Sequence, residues 1–128
     1  MQVFIHYFLH LGFPLVIAFI FFRSRWKQAY LLMLLTMLVD LDHLLADPIF
    51  QADRCSINYH PLHSYWAIAV YFGLLFFRWP YRPIGLGLVL HMITDFSDCI
   101  FTYKKCASCL ENAPILDLIK WATNLLSI

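Results

Sequence analysis

The sequence predicts an all-α protein, an integral membrane bundle of four transmembrane helices followed by a short C-terminal amphipathic helix. Its 128 residues are 62% hydrophobic and only 13% charged, whereas soluble domains carry about 25% charged residues. Long apolar runs also recur along the chain with short polar loops between them, and about 20 such residues cross a bilayer. The net charge of +1 gives no reason to expect a nucleic-acid partner.

The four predicted spans cover residues 3–22, 29–45, 62–77 and 84–101. We expect the first to be retained as an anchor, because residues 1–3 carry no basic leader and no small-residue cleavage site follows the apolar run. The other three are shorter or carry acids near one end, so we expect them to tilt or to open into a polar cavity. Apolar residues at helical spacing after Pro114 predict a last helix to residue 126, too short to span. No internal repeat is evident, so residues 1–128 are interpreted as one domain.

Basic residues in two short loops predict the orientation, because cytoplasmic loops are enriched in Lys and Arg. The opposite ends of the segments carry basic residues that are diluted by acids. We therefore expect a multi-pass protein of the bacterial inner membrane whose histidine-rich side faces the periplasm. The basic loop residues are Arg23, Arg25, Lys27, Arg78 and Arg82.

All four cysteines fall on the predicted outer side, where an oxidising compartment favours disulfides. Four cysteines allow three connectivities, and the sequence does not choose among them. The Cys106-Ala-Ser-Cys109 motif alone also fits a redox or zinc site, an interpretation that carries less weight without a second cysteine pair. The residues are Cys55, Cys99, Cys106 and Cys109.

A layer of ionisable side chains is the most informative feature of the chain. When the segments are threaded back and forth, all six histidines and four aspartates fall at one end of the bundle. An Asp at the centre of a membrane helix costs about 2.5–3.5 kcal/mol, so the layer requires a compensating partner. A divalent metal ion is the obvious one. The layer consists of His6, His10, His43, His60, His63, His91, Asp40, Asp42, Asp95 and Asp98.

Helical spacing predicts which of these side chains meet, because residues three, four or seven apart share a helix face. One predicted stripe contains Thr36, Asp40, His43 and Asp47, a second contains His91, Asp95 and Asp98, and a third contains His6 and His10. The turn at His60 brings His60 and His63 together. The predicted metal ligands are His6, His10, Asp40, His43, His63, His91 and Asp95.

Asp42 points away from Asp40 in this pattern, and we expect it to orient a ligand histidine, since a metal-bound imidazole usually donates its other N–H to a carboxylate or carbonyl. Asp42 and Asp98 are also the candidate general bases. Imidazole and carboxylate ligands without thiolate favour zinc, with manganese or iron as alternatives, and the number of ligands suffices for one or two ions.

A metal-bound hydroxide at this depth predicts hydrolysis of a phosphoester on a membrane lipid or a lipid-linked molecule. The sequence contains no GxSxG elbow and no glycine-rich phosphate loop, so serine hydrolases and nucleotide-binding proteins have no support.

The ordered motifs Asp40-Leu-Asp42-His43, His60-Pro-Leu-His63-Ser64 and His91-Met-Ile-Thr-Asp95 resemble those of the LexA-regulated, membrane-bound metal-dependent hydrolases. The chain also resembles a smaller uncharacterised family of bacterial multi-pass proteins that has a His-Tyr-Phe-Leu-His opening and a Val-Asp-Leu-Asp-His motif. More distantly, the order of motifs is similar to that of the zinc-dependent phospholipase C and P1 nuclease group. These resemblances imply a hydrolase whose ligands are His6 or His10, Asp40, His43, His63, His91 and Asp95.

Two other functions stay open at this point. Transmembrane histidine pairs also ligate haem, so the chain is alternatively a haem or metal-ion carrier. The polar layer also suits a non-catalytic scaffold in which helices are joined by hydrogen bonds. The sequence makes no prediction of the oligomeric state.

Overall fold

The computed structural model of the protein describes residues 1–51 and 53–126. This part of the chain is all-helical, with 76% of residues in helices and no strand. The main helices are α1 (Gln2–Phe21), α2 (Arg23–Leu45), α3 (Tyr65–Leu74), α4 (Tyr81–Lys105) and α5 (Leu116–Leu125), and short 3₁₀ turns occur at Pro61–His63 and Ala107–Leu110. The predicted all-α class is confirmed.

Helices α1, α2 and α4 are long and apolar enough to cross a membrane, with mean hydropathies of 2.0, 1.4 and 1.5. They correspond to the predicted spans at 3–22, 29–45 and 84–101. The predicted span at 62–77 contains α3, an apolar helix of 10 residues, which at 1.5 Å per residue covers about half of the hydrocarbon core. The predicted C-terminal helix is α5, also 10 residues long.

Helix α4 is the centre of the bundle, and two glycines allow its neighbours to approach closely. A Cβ atom built on Gly85 would lie 3.0 Å from the carbonyl oxygen of Tyr71 in α3. A Cβ on Gly87 would lie 2.9 Å from the Cα of Met33 in α2. The backbones of α3 and α2 therefore pack directly on α4 at these two positions.

Two of the long helices depart from α-helical geometry where they carry polar residues. In α1 the turn Phe8–Gly12, which contains His10, is π-helical, and in α2 the last ten residues, Thr36–Leu45, form a 3₁₀ helix. A 3₁₀ helix has 3.0 residues per turn, so residues three apart lie on one face. The buried stripe of this segment is accordingly Thr36, Val39 and Asp42.

This geometry corrects the predicted stripe that ran from Thr36 to Asp47. The prediction used 3.6 residues per turn, whereas the segment is 3₁₀ and ends at Leu45, so Asp47 lies outside the helix. Asp40 and His43 still share a face because they are three residues apart. Asp42 is buried in the bundle, while Asp40 is half-buried.

Disulfides form between Cys55 and Cys99 and between Cys106 and Cys109. The sequence left three connectivities open, and the structure has this one. The Cys55–Cys99 bond joins the loop that follows α2 to the middle of the polar half of α4. The loop that leads to His60 and His63 is therefore held against the helix that carries His91 and Asp95.

Candidate metal centre

Four side chains from three elements converge at the polar end of the bundle. Asp40 comes from α2, His63 from the turn Pro61–His63, and His91 and Asp95 from one face of α4, and one ligand atom of each lies within 4.8 Å of the others. The Nε2 atom of His91 lies 3.0 Å from Asp40 Oδ1 and 3.5 Å from Asp95 Oδ2. The Nε2 atom of His63 lies 3.5 Å from Asp40 Oδ1 and 3.0 Å from Asp95 Oδ2.

These separations fit a common ion. With bonds of about 2.0–2.2 Å and tetrahedral angles, the ligand atoms of a zinc ion lie about 3.3–3.6 Å apart, so the two separations of 3.5 Å match and the two of 3.0 Å are slightly short. The Nε2 atom of His63 and the Oδ2 atom of Asp95 are buried and lie 3.0 Å apart, but they form no hydrogen bond with each other or with any other described residue. Unpaired buried polar atoms are costly, and coordination of a cation would satisfy both. The group therefore meets the requirements of a divalent metal site.

Asp42 holds His63 in the orientation that a ligand needs. Its Oδ2 atom lies 3.0 Å from Nδ1 of His63 and accepts a hydrogen bond of 2.8 Å from the backbone N–H of Leu62. With the proton on Nδ1, the Nε2 atom of His63 presents its lone pair to the four-residue cluster. Asp42 is thus placed as the sequence predicted for an orienting residue, and it is too deeply buried to reach the cavity beside the cluster.

A cavity of about 470 Å³ borders the cluster. Asp40 and Asp95 belong both to the cluster and to the cavity wall, so one side of the cluster faces open space. The wall combines carboxylates, imidazoles, one guanidinium and apolar side chains. It includes His6, Asp40, His43, Leu44, Ile49, Phe50, Arg54, Ser56, Asp95 and Asp98.

The two histidines of α1 lie beside the cluster and outside it. The Nδ1 atom of His6 pairs with Oδ2 of Asp98, and both side chains line the cavity. The His10 ring lies between its neighbours, with centroids 4.4 Å from the His6 ring and 4.6 Å from the His91 ring. Among the described residues His10 Nε2 has no hydrogen-bond partner. Of the predicted ligands, the structure therefore groups Asp40, His63, His91 and Asp95, and places His6 and His10 next to them.

His43, another predicted ligand, belongs to a second group with Asp42 and His60. Its Nδ1 atom lies 3.2 Å from Asp42 Oδ1, and its Nε2 atom lies 3.0 Å from Ser56 Oγ. Burial, followed by the charge of the neighbouring His43, lowers the pKa of His60 to about 4. The His60 imidazole is therefore neutral near pH 7.

Sequence reasoning missed three residues that support this site. Ser56 bonds His43, and the Tyr71 hydroxyl donates a 2.8 Å hydrogen bond to the carbonyl oxygen of Leu62, beside His63. Arg54 lines the cavity and donates to the carbonyl oxygens of Pro48 and Ile49. Ser56 and Arg54 lie in an irregular loop without periodicity, and Tyr71 is one of several aromatic residues in an apolar helix. The sequence pattern therefore does not distinguish them.

The sequence profile of DUF6122, a family of unknown function, matches residues 1–102, and the chain belongs to this family. The match covers all four residues of the cluster. No curated protein and no solved structure matches the chain. These comparisons do not test the resemblance to the LexA-regulated hydrolases or to the phospholipase C and P1 nuclease group, which stays a prediction.

Proposed function

We propose that this member of DUF6122 is a membrane-embedded, metal-dependent hydrolase that acts on a lipid or lipid-linked phosphoester. The observation that carries the proposal is the double role of Asp40 and Asp95, which belong to the four-residue cluster and also line the cavity. An ion held there has one side towards the space that a substrate would enter. The alternative of a haem carrier requires room for a porphyrin, whereas these ligand atoms lie 3.0–3.5 Å apart.

The metal would be zinc or a similar divalent ion, which lowers the pKa of a bound water and polarises a phosphoryl oxygen. Asp40, His63, His91 and Asp95 would hold it. The His6–Asp98 pair would handle the proton, because the carboxylate fixes one ring nitrogen of His6 and leaves the other for transfer. Asp42 takes part by orienting His63.

The cavity wall supports a substrate with an anionic head and an apolar chain. Arg54 uses two of its five N–H donors on backbone carbonyls, so three remain for a phosphate group. The side chains of Leu44, Ile49 and Phe50 line the same cavity and are exposed. A lipid phosphoester would place its phosphate between the cluster and Arg54, with its chain along these apolar residues.

The proposal includes four membrane spans, with α3 as a short one, α5 at the outer surface, and the cluster towards the periplasm. The Cys55–Cys99 disulfide beside the cavity and the Cys106–Cys109 disulfide after the end of α4 favour an oxidising compartment, and the basic loops at the other end favour the cytoplasm. An impermeant thiol reagent applied to intact cells tests the sidedness. After mild reduction it should label Cys106 in the wild type, and the Ser24→Cys variant should take up no more label than the wild type. Extra label in the Ser24→Cys variant, with none at Cys106, contradicts the topology.

Catalysis is tested with purified protein in mixed lipid micelles, supplied with phosphatidic acid, phosphatidylglycerol or polyprenyl phosphate. We expect release of phosphate or headgroup that stops with EDTA and returns with Zn²⁺ or Mn²⁺. Asp95→Asn should abolish the activity while the protein remains helical and monodisperse. A metal-loaded protein that releases nothing from these lipids or from bis(p-nitrophenyl) phosphate contradicts the proposal.

A second candidate function is a structural metal site. The specific observation in its favour is that four protein ligands are sufficient to fill a tetrahedral zinc shell, as in closed structural sites. The two candidates differ in solvent access. A Co²⁺-loaded protein whose absorption spectrum responds to added phosphate or azide supports the hydrolase, and a spectrum that responds to neither supports the structural site.

A further inference from the structure

Asp42, His43 and His60 form a second group of metal-ligating side chains, distinct from the four residues of the first cluster. One ligand atom of each lies within 4.8 Å of the other two. The group draws on two elements, the 3₁₀ end of α2 and the turn before α3. The His43 and His60 rings lie with their centroids 4.0 Å apart, so the two imidazoles are direct neighbours.

Two atoms of this group lack hydrogen bonds where burial makes that costly. Asp42 Oδ1 and His60 Nε2 are buried and have no hydrogen-bond partner among the described residues. The side chain of Asp42 is 2% exposed and the residue His60 is 3% exposed. A buried carboxylate oxygen and a buried imidazole nitrogen that make no hydrogen bond are both unfavourable. One cation between them would satisfy both atoms.

The two oxygens of Asp42 have different surroundings. Oδ2 is occupied by His63 Nδ1 and the Leu62 N–H, whereas Oδ1 faces His43 Nδ1 at 3.2 Å. The Nδ1 atom of His43 also lies 3.2 Å from the backbone carbonyl oxygen of Asp40, and its Nε2 atom lies 3.0 Å from Ser56 Oγ. To bind a cation, Nδ1 would give up its proton and its contact with that carbonyl oxygen, and Nε2–H would donate to Ser56 as the outer contact of a metal-bound imidazole. The carboxylate of Asp42 thus orients a ligand of the first cluster with one oxygen and is available to a second ion with the other.

We propose that Asp42, His43 and His60 bind a second divalent cation, so that the protein holds two ions rather than one. Two nitrogen ligands and one oxygen ligand suit zinc and other borderline first-row ions. Three protein ligands leave at least one coordination position for water. The proposed function requires only the first ion, so this inference goes beyond it and stands or falls separately.

The test counts metal ions in the purified full-length protein. The protein is stripped with EDTA, loaded with Zn²⁺, desalted, and analysed by plasma mass spectrometry. We expect two zinc ions per chain for the wild type and for Tyr59→Phe, a matched control beside His60 that supplies no ligand. His60→Gln should retain one ion. Asp42→Asn should lose the second ion and bind the first about 10–100-fold more weakly, because it removes an outer partner of His63.

A titration of the wild type with Co²⁺ keeps the test independent of whether the variants fold. Two successive changes in the visible spectrum of the wild type support the second site, and a single change speaks against it. One zinc ion per chain in the wild type, or two in His60→Gln, overturns it. A protein that binds two ions but hydrolyses none of the lipids supports this inference and contradicts the proposed function.

Discussion

The two ends of the helical bundle differ in what their buried positions contain. At the end formed by the α1–α2 and α3–α4 connections, the α1–α2 contact is made by small and apolar side chains such as Ala18, Ala29 and Met33. At the other end the buried positions include His10, Asp42, His60, His63 and His91. We call these the apolar end and the histidine end. The first is packed as a core, and the second buries ionisable side chains, several with nitrogen atoms that make no hydrogen bond.

The two ends also differ in backbone geometry. The α-helical parts of α1 and α2 near their connection are regular, whereas the π turn Phe8–Gly12 and the 3₁₀ segment Thr36–Leu45 lie at the histidine end. Both disulfides are also there. Irregular helical geometry often accompanies functional sites, and here it aims Asp42 inward. One end of the bundle is thus packed by apolar side chains, and the other carries the side chains that could hold a metal ion.

Removing a ligand from the first cluster should have the largest effect of all the changes considered, and the effect should be on zinc binding. We expect Asp40→Ala, His63→Ala and His91→Ala each to weaken zinc binding at this cluster more than about 100-fold, since loss of an outer partner alone costs 10–100-fold. Isothermal titration of the stripped protein measures the affinity. Ser97→Ala, a change of a side chain of α4 that bonds only its own helix, should leave it unchanged. Full zinc content in both the Asp40 and His91 variants contradicts the ligand assignment.

The His6–Asp98 pair separates metal binding from catalysis within the histidine end. Because neither residue belongs to the four-residue cluster, His6→Gln and Asp98→Asn should keep the zinc content and lower phosphoester hydrolysis about 100-fold, a typical contribution of proton transfer. The assay uses the mixed lipid micelles described above, and zinc content is measured on the same samples. Loss of zinc from His6→Gln would instead make His6 a ligand, as the sequence pattern alone predicts.

The histidine end could be predicted from the sequence because ionisable residues are conspicuous in apolar segments, and antiparallel threading brings them to one depth. The proximity of His91 and Asp95 follows from their spacing of four residues on one helix. The separation of Asp40 from Asp42 was also expected. Each of these depends only on local periodicity and on the direction of the chain.

Other features depend on packing, which the sequence pattern does not encode. The 3₁₀ geometry of Thr36–Leu45 made the assumed period of 3.6 wrong for this segment. The pairing of Cys55 with Cys99 and the bond from His43 to Ser56 depend on the path of a loop without regular structure. The apolar end has no sequence motif that predicts its contacts. The close approach at Gly87 depends on the position of Met33 in the neighbouring helix, which only the structure gives.

A change where the two ends meet, at Gly87 beside Thr36, should affect stability and leave the metal ligands in place. In Gly87→Ala the new Cβ would lie 2.6 Å from Thr36 Oγ1 and 2.9 Å from Met33 Cα, so we expect the free energy of unfolding in micelles to fall by about 1–3 kcal/mol. Gly73→Ala is the matched control, because its Cβ meets nothing within 4 Å. It should be neutral or stabilising by up to about 1 kcal/mol. Equal stability of the two variants would show that the helices at Gly87 separate easily.

Tyr71→Phe should have the smallest effect, and it tests the boundary between the two ends. The Tyr71 hydroxyl is the donor that fixes the Leu62 carbonyl oxygen from α3, while the N–H of Leu62 bonds Asp42 on the other side. Loss of this hydrogen bond should lower the free energy of unfolding by about 0.5–1.5 kcal/mol. Zinc affinity should change less than tenfold, because Asp42 still holds His63 directly. Denaturant unfolding and zinc titration of the same protein measure both quantities, with Tyr65→Phe, at an exposed position of α3, as the control. A loss of zinc affinity as large as that of His63→Ala would mean that α3 positions the turn that carries His63. The division between the apolar end and the histidine end would then not hold at α3.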